Sequence, residues 1–239
     1  MTMNDPSSYR HIFFDLDNTL TRSRSSITKE MREALAGLVA SGRDVIVVSG
    51  ATVEQALTQT ERFPALYLGQ NGNHAHDESL KQELWRDLLS DTEKEEIMKH
   101  IASIPRPWRV KDESDLIEDR GSQISYSLLG HHEDVPTKET FDPDGSRRRM
   151  ILEQHPLTSA TLEVKIGGTT TLDYIRKGKH KGSNVTRLIQ EKNWKKEKCI
   201  YVGDALYPGG NDEAVVGVID VQQVENPVAT LEYIYTILQ

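Results

Sequence analysis

The chain has 239 residues, a formal net charge of −8, one cysteine and 36% hydrophobic residues, which allows one large domain or a core with an inserted module. The acidic balance disfavours binding to a nucleic-acid backbone, and no apolar run approaches the roughly eighteen residues of a membrane span. The opening residues, MTMNDPSSYR, contain no apolar signal-peptide segment, and the lone Cys199 excludes an internal disulfide. These features predict a cytoplasmic protein that binds neither nucleic acid nor membrane.

The first part of the chain alternates between strand and helix patterns. An apolar strand covering residues 11–14 is followed by a helix in which apolar residues recur at helical spacing behind a Thr28 cap. The β-branched run DVIVVSG, residues 44–50, is typical of a parallel strand that is buried on both faces. A second helix, about 52–60, leads to the strand ALYLG and then to an Asn-Gly hairpin turn.

The middle of the chain has a different pattern. Short strands such as SQISYSLLG and TTTLDYI, a polar helix near 90–103, a long polar connection and a charged helix near 144–154 predict an antiparallel sheet with two helices. The end of the chain returns to the α/β pattern, with the helix SNVTRLIQEK, the strands CIYVGD and VVGVID, and a last helix. We therefore expect an α/β core with a parallel sheet, formed by residues 1–78 and 177–239, and an inserted α+β module at 79–176.

Polar residues follow the strands of the expected parallel sheet. At these strand ends the sequence places Asp15, Asp17, Thr19, Ser49 and Asp204. Lys181 opens the helix before the strand CIYVG, and the glycine-rich loop YPGGND adds Asn211 and Asp212. Ligands of parallel α/β sheets bind outside the carboxyl ends of the strands, so we expect these side chains to meet at one site.

The residue types at this site favour a metal ion. Several carboxylates around one point repel each other unless a hard cation binds between them, and carboxylate oxygens suit Mg²⁺. The expected ligands are Asp15, the backbone carbonyl of Asp17, Asp204, Asn211 and Asp212. The histidines, in contrast, lack the spacing of a zinc site.

The same residues predict phosphoryl-transfer chemistry. Lys181 and the Ser49 hydroxyl would neutralise a phosphoryl group, while Asp15 would attack phosphorus. Asp17 would protonate the leaving oxygen and later activate water, with Thr19 holding Asp17 in place. The simpler interpretations are a solvated strand end for the two aspartates, a helix cap for Ser49 and ordinary turn residues in the glycine-rich loop. The joint occurrence of all these segments at strand ends favours catalysis.

Four segments resemble the motifs of the haloacid dehalogenase superfamily, namely DLDNT, VVSG, HKG and VGDALYPGGND. The resemblance implies a Rossmann-like core, an inserted α+β cap over the site, Mg²⁺ and an aspartyl-phosphate on Asp15. Within that superfamily, QNG, IEDRGSQISYSLLG, GGTTTLDYI and PGGND are similar to segments of the eukaryotic-type phosphomannomutases. Those mutases dimerise through the cap, so the resemblance implies a homodimer as one option.

The same resemblance implies a set of substrate-binding residues. Matching positions hold Arg24, Arg120, Thr171 and Asp173. His131 and Lys138 stand where the mutases have arginines, and Ser49 stands where they have glycine. Because the loss of arginine weakens a bidentate grip on a second phosphate, we expect a phosphatase that acts on a phosphorylated sugar or a similar small metabolite.

Two other functions stay open. A hexose-phosphate mutase is the second interpretation, and a catalytically silent sugar-phosphate-binding protein is the third. The mutase would return the phosphoryl group from Asp15 to the other end of a bisphosphate. The binding protein would not need the acidic residues and Lys181 together. The identity of the substrate depends on side chains of the inserted module.

Overall fold

Two sheets organise the residues that our computed structural model describes, which are 5–239 without the side chain of Val135. The chain divides into a first unit, which ends at Arg86 and resumes with Lys179–Gln239, and a second unit, Asp87–Gly178. In chain order the strands are β1 (His11–Asp15), β2 (Asp44–Val48), β3 (Leu66–Gly69), β4 (His74–Asp77), β5 (Gln82–Arg86), β6 (Ile117–Asp119), β7 (Ile124–Ser127), β8 (Leu162–Gly167), β9 (Thr171–Arg176), β10 (Cys199–Gly203) and β11 (Asp220–Gln223).

The α-helices follow the amphipathic patterns of the sequence. In chain order they are α1 (Lys29–Ala40), α2 (Val53–Gln59), α3 (Asp91–Ser103), α4 (Val135–Phe141), α5 (Ser146–Gln154), α6 (Lys181–Glu191) and α7 (Pro227–Leu238). Thr28 caps α1 as predicted, because its hydroxyl accepts a hydrogen bond from the Met31 amide at 3.2 Å. None of the described helices has both the length and the apolar character needed to cross a membrane.

The first unit contains the parallel sheet that the sequence predicts. Its seven described strands have the order β11-β10-β1-β2-β3-β4-β5, and the neighbours from β11 to β3 are parallel. The strands β4 and β5 extend the sheet in antiparallel fashion beyond β3. The central strand β1 lies between β10 and β2, so its carboxyl end lies beside the carboxyl ends of both neighbours.

Alternating side chains of β1 bury both faces of this sheet. Ile12 and Phe14 pack with residues of α1, α2 and α7, whereas Phe13 packs with residues of α6 on the opposite face. The next residue on the side of Phe13 is Asp15, because side chains alternate with a period of two. The sequence pattern of β1 therefore directs Asp15 toward the helix α6.

The second unit is the predicted antiparallel α+β module. Its sheet has the order β6-β7-β9-β8 in the described residues. One face carries Ile124, Tyr126, Leu172 and Tyr174, which form a core with apolar residues of α3. The opposite face is polar, because Glu118, Ser125 and Asp173 lie in register across β6, β7 and β9.

Three details differ from the sequence prediction. The first unit continues to Arg86 rather than ending at residue 78, because β5 pairs with β4. The polar connection contains α4, which Asp134 caps by accepting a hydrogen bond from the Thr137 amide. The strand expected at VVGVID starts only at Asp220, because Gly217 adopts φ +83° in a turn before it.

Candidate active site

The carboxyl end of β1 brings Asp15 against the first residue of α6. The Lys181 ammonium donates a hydrogen bond to Asp15 Oδ1 at 2.5 Å and another to Asp212 Oδ1 at 2.7 Å. Lys181 is 1% exposed, and both carboxylates are buried. An ammonium that is held by two buried carboxylates has a fixed position, so Lys181 ties the end of β1 to the glycine-rich loop.

Close approach of a backbone carbonyl in one case and of a buried side chain in the other explains two glycines of this site. A Cβ on Gly182 would lie 1.8 Å from the carbonyl oxygen of Ala214, and a Cβ on Gly203 would lie 2.5 Å from Asp212 Oδ2. Real side chains do not tolerate such contacts, so both positions require glycine. The Lys-Gly and Gly-Asp pairs of the sequence thus combine a functional side chain with room for the loop that carries Asp212.

A third carboxylate joins the site at the end of β10. Asp15, Asp204 and Asp212, which we call the acidic cluster, offer carboxylate oxygens that all lie within 4.8 Å of one another. The buried Tyr201 hydroxyl donates a hydrogen bond to Asp212 Oδ1 at 2.7 Å. The structure therefore brings together three of the predicted metal ligands and the predicted lysine.

Burial and mutual repulsion perturb the acidic cluster. Burial raises the pKa of Asp15 well above its ordinary value, and Lys181 offsets only part of that rise. Burial and the nearby Asp212 carboxylate also raise the pKa of Asp204. For Lys181, burial would lower the pKa, but Asp15 and Asp212 raise it, so the ammonium stays charged. When all three carboxyl groups are ionised, one ammonium faces three carboxylates, and the excess of negative charge is what a divalent cation would relieve.

The donor chemistry of the acidic cluster fits a magnesium ion. Its oxygens are carboxylate oxygens, the ligand type that Mg²⁺ prefers, and an excess of negative charge favours a divalent cation. Asn211, another predicted ligand, is the exposed residue before Asp212. The described residues contain no second group of three or more His, Cys, Asp or Glu side chains that meets the same distance criterion.

Asp17 has different surroundings from Asp15. Its Oδ1 accepts hydrogen bonds from the Arg24 amide at 2.8 Å and from Gln59 Nε2 of α2 at 3.0 Å. The expectation that Thr19 holds Asp17 is wrong, because the Thr19 hydroxyl instead donates to Asp204 Oδ1 at 3.5 Å. The two aspartates thus contact helices on opposite faces of the sheet, α6 for Asp15 and α2 for Asp17.

Ser49 directly follows β2 beside the end of β1, and Arg24 lies in the segment that follows β1. The buried Ser49 hydroxyl oxygen accepts a hydrogen bond from the Ala51 amide at 3.0 Å, so it also stabilises the turn before α2. The backbone carbonyl of Ser49 accepts from the Asn71 amide at 2.8 Å. Arg24 is exposed and has a left-handed backbone with φ +55°.

The polar sheet face of the second unit, which carries Glu118, Ser125 and Asp173, holds two of the predicted substrate-binding residues. The Ser125 hydroxyl donates to Asp173 Oδ1 at 2.6 Å. Thr171 begins β9, and its hydroxyl donates to the Gly167 carbonyl at 2.7 Å. Since both residues belong to β9 and are separated by one position, they share this face.

The three predicted cationic or imidazole side chains of the second unit have partners within that unit. Arg120 Nη2 donates to Glu118 Oε2 at 2.8 Å. His131 is 4% exposed, and its Nε2 lies 3.1 Å from the carbonyl oxygen of Ser125. The ammonium of Lys138 donates to the carbonyl of His131 at 2.9 Å. The structure therefore brings these residues together around the polar sheet face.

Comparison with known proteins agrees with this geometry. The sequence profile of the haloacid dehalogenase-like hydrolases matches residues 12–152, more than half of the chain. The chain belongs to this family. The predicted superfamily is thereby confirmed, and the haloacid dehalogenase-like chain is an enzyme of the phosphohydrolase or phosphotransferase type, near the phosphomannomutases.

Several relatives resemble the haloacid dehalogenase-like chain over most of its length. Phosphomannomutase 1 of Dictyostelium discoideum is 27% identical over 83% of each chain, and a probable phosphomannomutase of Caenorhabditis elegans is 25% identical over 99% of each chain. A truncated, IMP-bound IMP-nucleotidase of Plasmodium falciparum aligns with a TM-score of 0.66 at 14% identity, over 96% of this chain and 68% of that chain. A haloacid dehalogenase-like hydrolase of Bacteroides thetaiotaomicron aligns with a TM-score of 0.62 at 15% identity, over 96% and 99%. These solved structures share the fold.

Two site residues of this haloacid dehalogenase-like chain escape sequence analysis. Tyr201 lies inside an apolar strand, where its ring is expected to pack in the core, yet its hydroxyl donates a hydrogen bond to Asp212. Gln59 ends an ordinary amphipathic helix, yet its side chain contacts Asp17. For Tyr201 the sequence offers one signal, a hydroxyl group within an apolar strand, because a buried tyrosine hydroxyl usually has a hydrogen-bond partner.

Proposed function

We propose that the chain is a Mg²⁺-dependent phosphatase that transfers the phosphoryl group of a small phosphorylated metabolite, with sugar phosphates as the favoured class, to Asp15 and then to water. The observation that carries this proposal is the placement of Lys181 between Asp15 and Asp212, next to Asp204. In this proposal the first unit is the catalytic core and the second unit is the cap that selects the substrate.

The first half of the reaction uses both aspartates of the DLDNT segment. A carboxylate oxygen of Asp15 forms a bond to phosphorus while the bond from phosphorus to the leaving oxygen breaks. The carboxyl of Asp17 gives its proton to that leaving oxygen. Lys181 stabilises the charge that develops on the phosphoryl oxygens, since its ammonium is already fixed beside Asp15.

The second half reverses the role of Asp17. Its carboxylate takes a proton from water, the water oxygen attacks phosphorus, and the bond between phosphorus and Asp15 breaks to release phosphate. Mg²⁺, when bound by the acidic cluster, would supply further neutralisation of the phosphoryl charge. Burial of Asp15 keeps bulk water away from its carboxylate and strengthens these interactions.

Two residues support water over a sugar hydroxyl as the acceptor. His131 occupies a position where the resembled mutases have an arginine, and its ring is buried against Ser125. Ser49 provides a hydroxyl where those mutases have glycine. A mutase needs a firm grip on both ends of a bisphosphate, and an imidazole does not replace a bidentate guanidinium.

A hexose-phosphate mutase is the second candidate. It is favoured by identities of 27% and 25% to phosphomannomutases along most of the chain. The two candidates share the step at Asp15 and differ in the acceptor of the phosphoryl group. A measurement of the reaction products therefore distinguishes the two candidate functions better than a measurement of ligand binding.

The decisive experiment measures two products at once. Purified protein is incubated with Mg²⁺ and hexose 1-phosphates, with and without a hexose 1,6-bisphosphate, and both free phosphate and hexose 6-phosphate are quantified. We expect free phosphate without a need for bisphosphate, and a loss of at least about a thousandfold in Asp15→Asn. Asp44→Asn is the matched control, because Asp44 starts β2 at the opposite end of the sheet from the acidic cluster.

Two results would replace the proposal. Bisphosphate-dependent hexose 6-phosphate without phosphate release would establish the mutase. No product from a broad panel of phosphorylated metabolites, together with unchanged ligand binding in Asp15→Asn, would favour the silent binding protein.

A separate comparison tests the cap: Arg120→Ala should raise KM for a hexose phosphate more than for a small aryl phosphate, and equal increases would exclude Arg120 from sugar binding.

A further inference from the structure

The last residue of α2, Gln59, connects that helix to the segment after β1. Its Nε2 donates one hydrogen bond to Asp17 Oδ1 at 3.0 Å and another to the Thr21 hydroxyl oxygen at 2.6 Å. Its backbone carbonyl accepts a hydrogen bond from the Ile27 amide at 2.8 Å. A carboxamide nitrogen carries two hydrogens, so both donors of Gln59 are directed at residues of this one segment.

The second partner of Gln59 is itself fixed. Thr21 is buried, and its hydroxyl donates to the carbonyl of Leu16 at 3.4 Å while it accepts from Gln59. The amides of Leu20 and Thr21 donate to the same carbonyl of Leu16 at 2.9 and 3.1 Å. The turn after β1 therefore offers Gln59 a rigid anchor, and the carboxamide orientation is determined by that anchor as well as by Asp17.

The contacts of Asp17 have a consequence for proton transfer. Gln59 Nε2 and the Arg24 amide both donate to Oδ1 of this carboxyl. An oxygen that accepts two N–H donors is a poor site for a proton, so a proton on this carboxyl is directed to Oδ2. The rotation of the carboxyl about its last bond is restricted by the same two hydrogen bonds.

We propose that Gln59 is a positioning residue that orients the Asp17 carboxyl so that Oδ2 exchanges its proton with the leaving oxygen. The inference rests on the proposed function, because it assigns a task only if Asp17 is the proton donor to the leaving group. Gln59 itself contacts neither the substrate nor the reacting atoms. Its effect on release of the leaving group should be large where the leaving oxygen needs a proton and small where it does not, whereas the later attack of water uses Asp17 in the same way for every substrate.

The experiment uses two substrates that differ in that need, and it measures release of the leaving group in a single turnover, so that the later attack of water does not contribute. A hexose phosphate expels an alkoxide that requires protonation, whereas p-nitrophenyl phosphate expels a stabilised phenolate. Gln59→Leu removes both donors, and Gln59→Glu replaces the donor by a second carboxylate facing Asp17. Since general acid catalysis contributes about a hundred- to ten-thousandfold and Asp17 itself remains, we expect the single-turnover rate of hexose release to fall roughly ten- to a hundredfold in both variants.

The other kinetic constants should change much less. We expect the single-turnover rate of p-nitrophenolate release, and the half-saturating concentration of both substrates, to stay within about threefold of wild type, because Asp15 is untouched and this leaving group needs no proton. Thr58→Glu is the matched control for charge, since Thr58 is exposed and precedes Gln59 on the same helix. Gln59→Leu carries no charge, so it keeps the test valid if Gln59→Glu fails to fold.

The results distinguish this inference from the proposed function. An active wild-type enzyme in which the Gln59 variants slow the single-turnover release of both leaving groups equally, or slow neither, would overturn the inference alone. A wild-type protein without phosphoryl-transfer activity, or one in which Asp15→Asn stays active, would overturn the proposed function and the inference with it. A selective loss with the hexose phosphate supports both.

Discussion

The buried ion pair of the second unit provides a test of how that unit holds its polar sheet face. Arg148 Nε donates to Asp142 Oδ2 at 2.7 Å, and both side chains are at most 3% exposed. Arg148 Nη1 also donates to the carbonyls of Gly167 and Thr171, at 2.6 and 3.3 Å. Replacing this arginine by methionine should therefore loosen the β8–β9 hairpin, which carries Thr171.

The size of the effect follows from what stays behind. Removing one partner of a buried pair typically costs about 3–5 kcal/mol, because the other charge loses its compensation. Asp142 keeps two hydrogen bonds in Arg148→Met, from the amides of residues 147 and 148, and Gly167 keeps the Thr171 hydroxyl. We therefore expect the lower end, about 3 kcal/mol, which corresponds to roughly a hundredfold change in an opening equilibrium.

Amide hydrogen exchange with peptide resolution measures this change directly. Exchange in peptides from β8 and β9 should accelerate roughly a hundredfold in Arg148→Met, while a peptide from β10 in the first unit serves as the internal reference. Arg149→Met is the matched control, because Arg149 is exposed and should change stability by less than about 0.5 kcal/mol. Equal exchange in Arg148→Met and Arg149→Met would refute the reasoning that the buried pair stabilises the hairpin.

Three further predictions concern single interactions. Hydrogen bonds from Arg176 lower the pKa of Glu93 from its ordinary value of 4.5 to about 2. The ionised carboxylate therefore stabilises the fold above pH 4.5, and this stabilisation is lost as the pH falls from 4.5 toward 2. In urea unfolding, Glu93→Gln should lower the free energy of unfolding by about 1–2 kcal/mol at pH 7 and by less near pH 3, and an equal deficit at both pH values would contradict this assignment. Asp204→Asn should weaken Mg²⁺ binding at least about tenfold in calorimetry, since it removes a carboxylate of the acidic cluster, and an unchanged affinity would exclude this residue as a ligand. Tyr201→Phe removes a hydrogen bond to Asp212 and should lower the free energy of unfolding by about 1–2 kcal/mol in thermal or urea unfolding, whereas no change would mean that other donors satisfy Asp212.

The convergence of Asp15, Asp204 and Asp212 is predictable from the sequence. Each follows, or lies in a loop that follows, a run that reads as a buried parallel strand, and the carboxyl ends of such strands share one edge of a sheet. The helix start at Lys181 is equally visible, because a Lys-Gly pair precedes the amphipathic run of α6. General rules for strands and helices therefore locate the main parts of the site.

The contacts that orient these groups are not predictable in the same way. Gln59 meets Asp17 across 42 positions of sequence, and its side chain reaches that carboxylate only because α2 ends beside the turn after β1. Thr19 shows the converse case of a predicted local contact that does not form. Its spacing from Asp17 suggests a local hydrogen bond, but its hydroxyl donates to Asp204 Oδ1 instead. Strand and helix periods determine which face a residue occupies, whereas such contacts depend on where separate elements end.

If the second unit selects the substrate, as proposed, the charges on its polar sheet face bear on the acceptor of the phosphoryl group. Arg120 is paired with Glu118, and the ammonium of Lys138 is bonded to the carbonyl of His131. A second phosphate bound at this face would have to displace Glu118 from the Arg120 guanidinium and the His131 carbonyl from the Lys138 ammonium. Each displacement would make the binding free energy of that phosphate less favourable. A sugar hydroxyl needs no such exchange, because Asp173 and the other polar groups of β7 and β9 offer neutral or acceptor partners at a moderate cost. If the substrate binds at this face, as proposed, the face is better suited to hydroxyl groups than to a second phosphate, which supports the proposal of water over the far end of a bisphosphate as the acceptor.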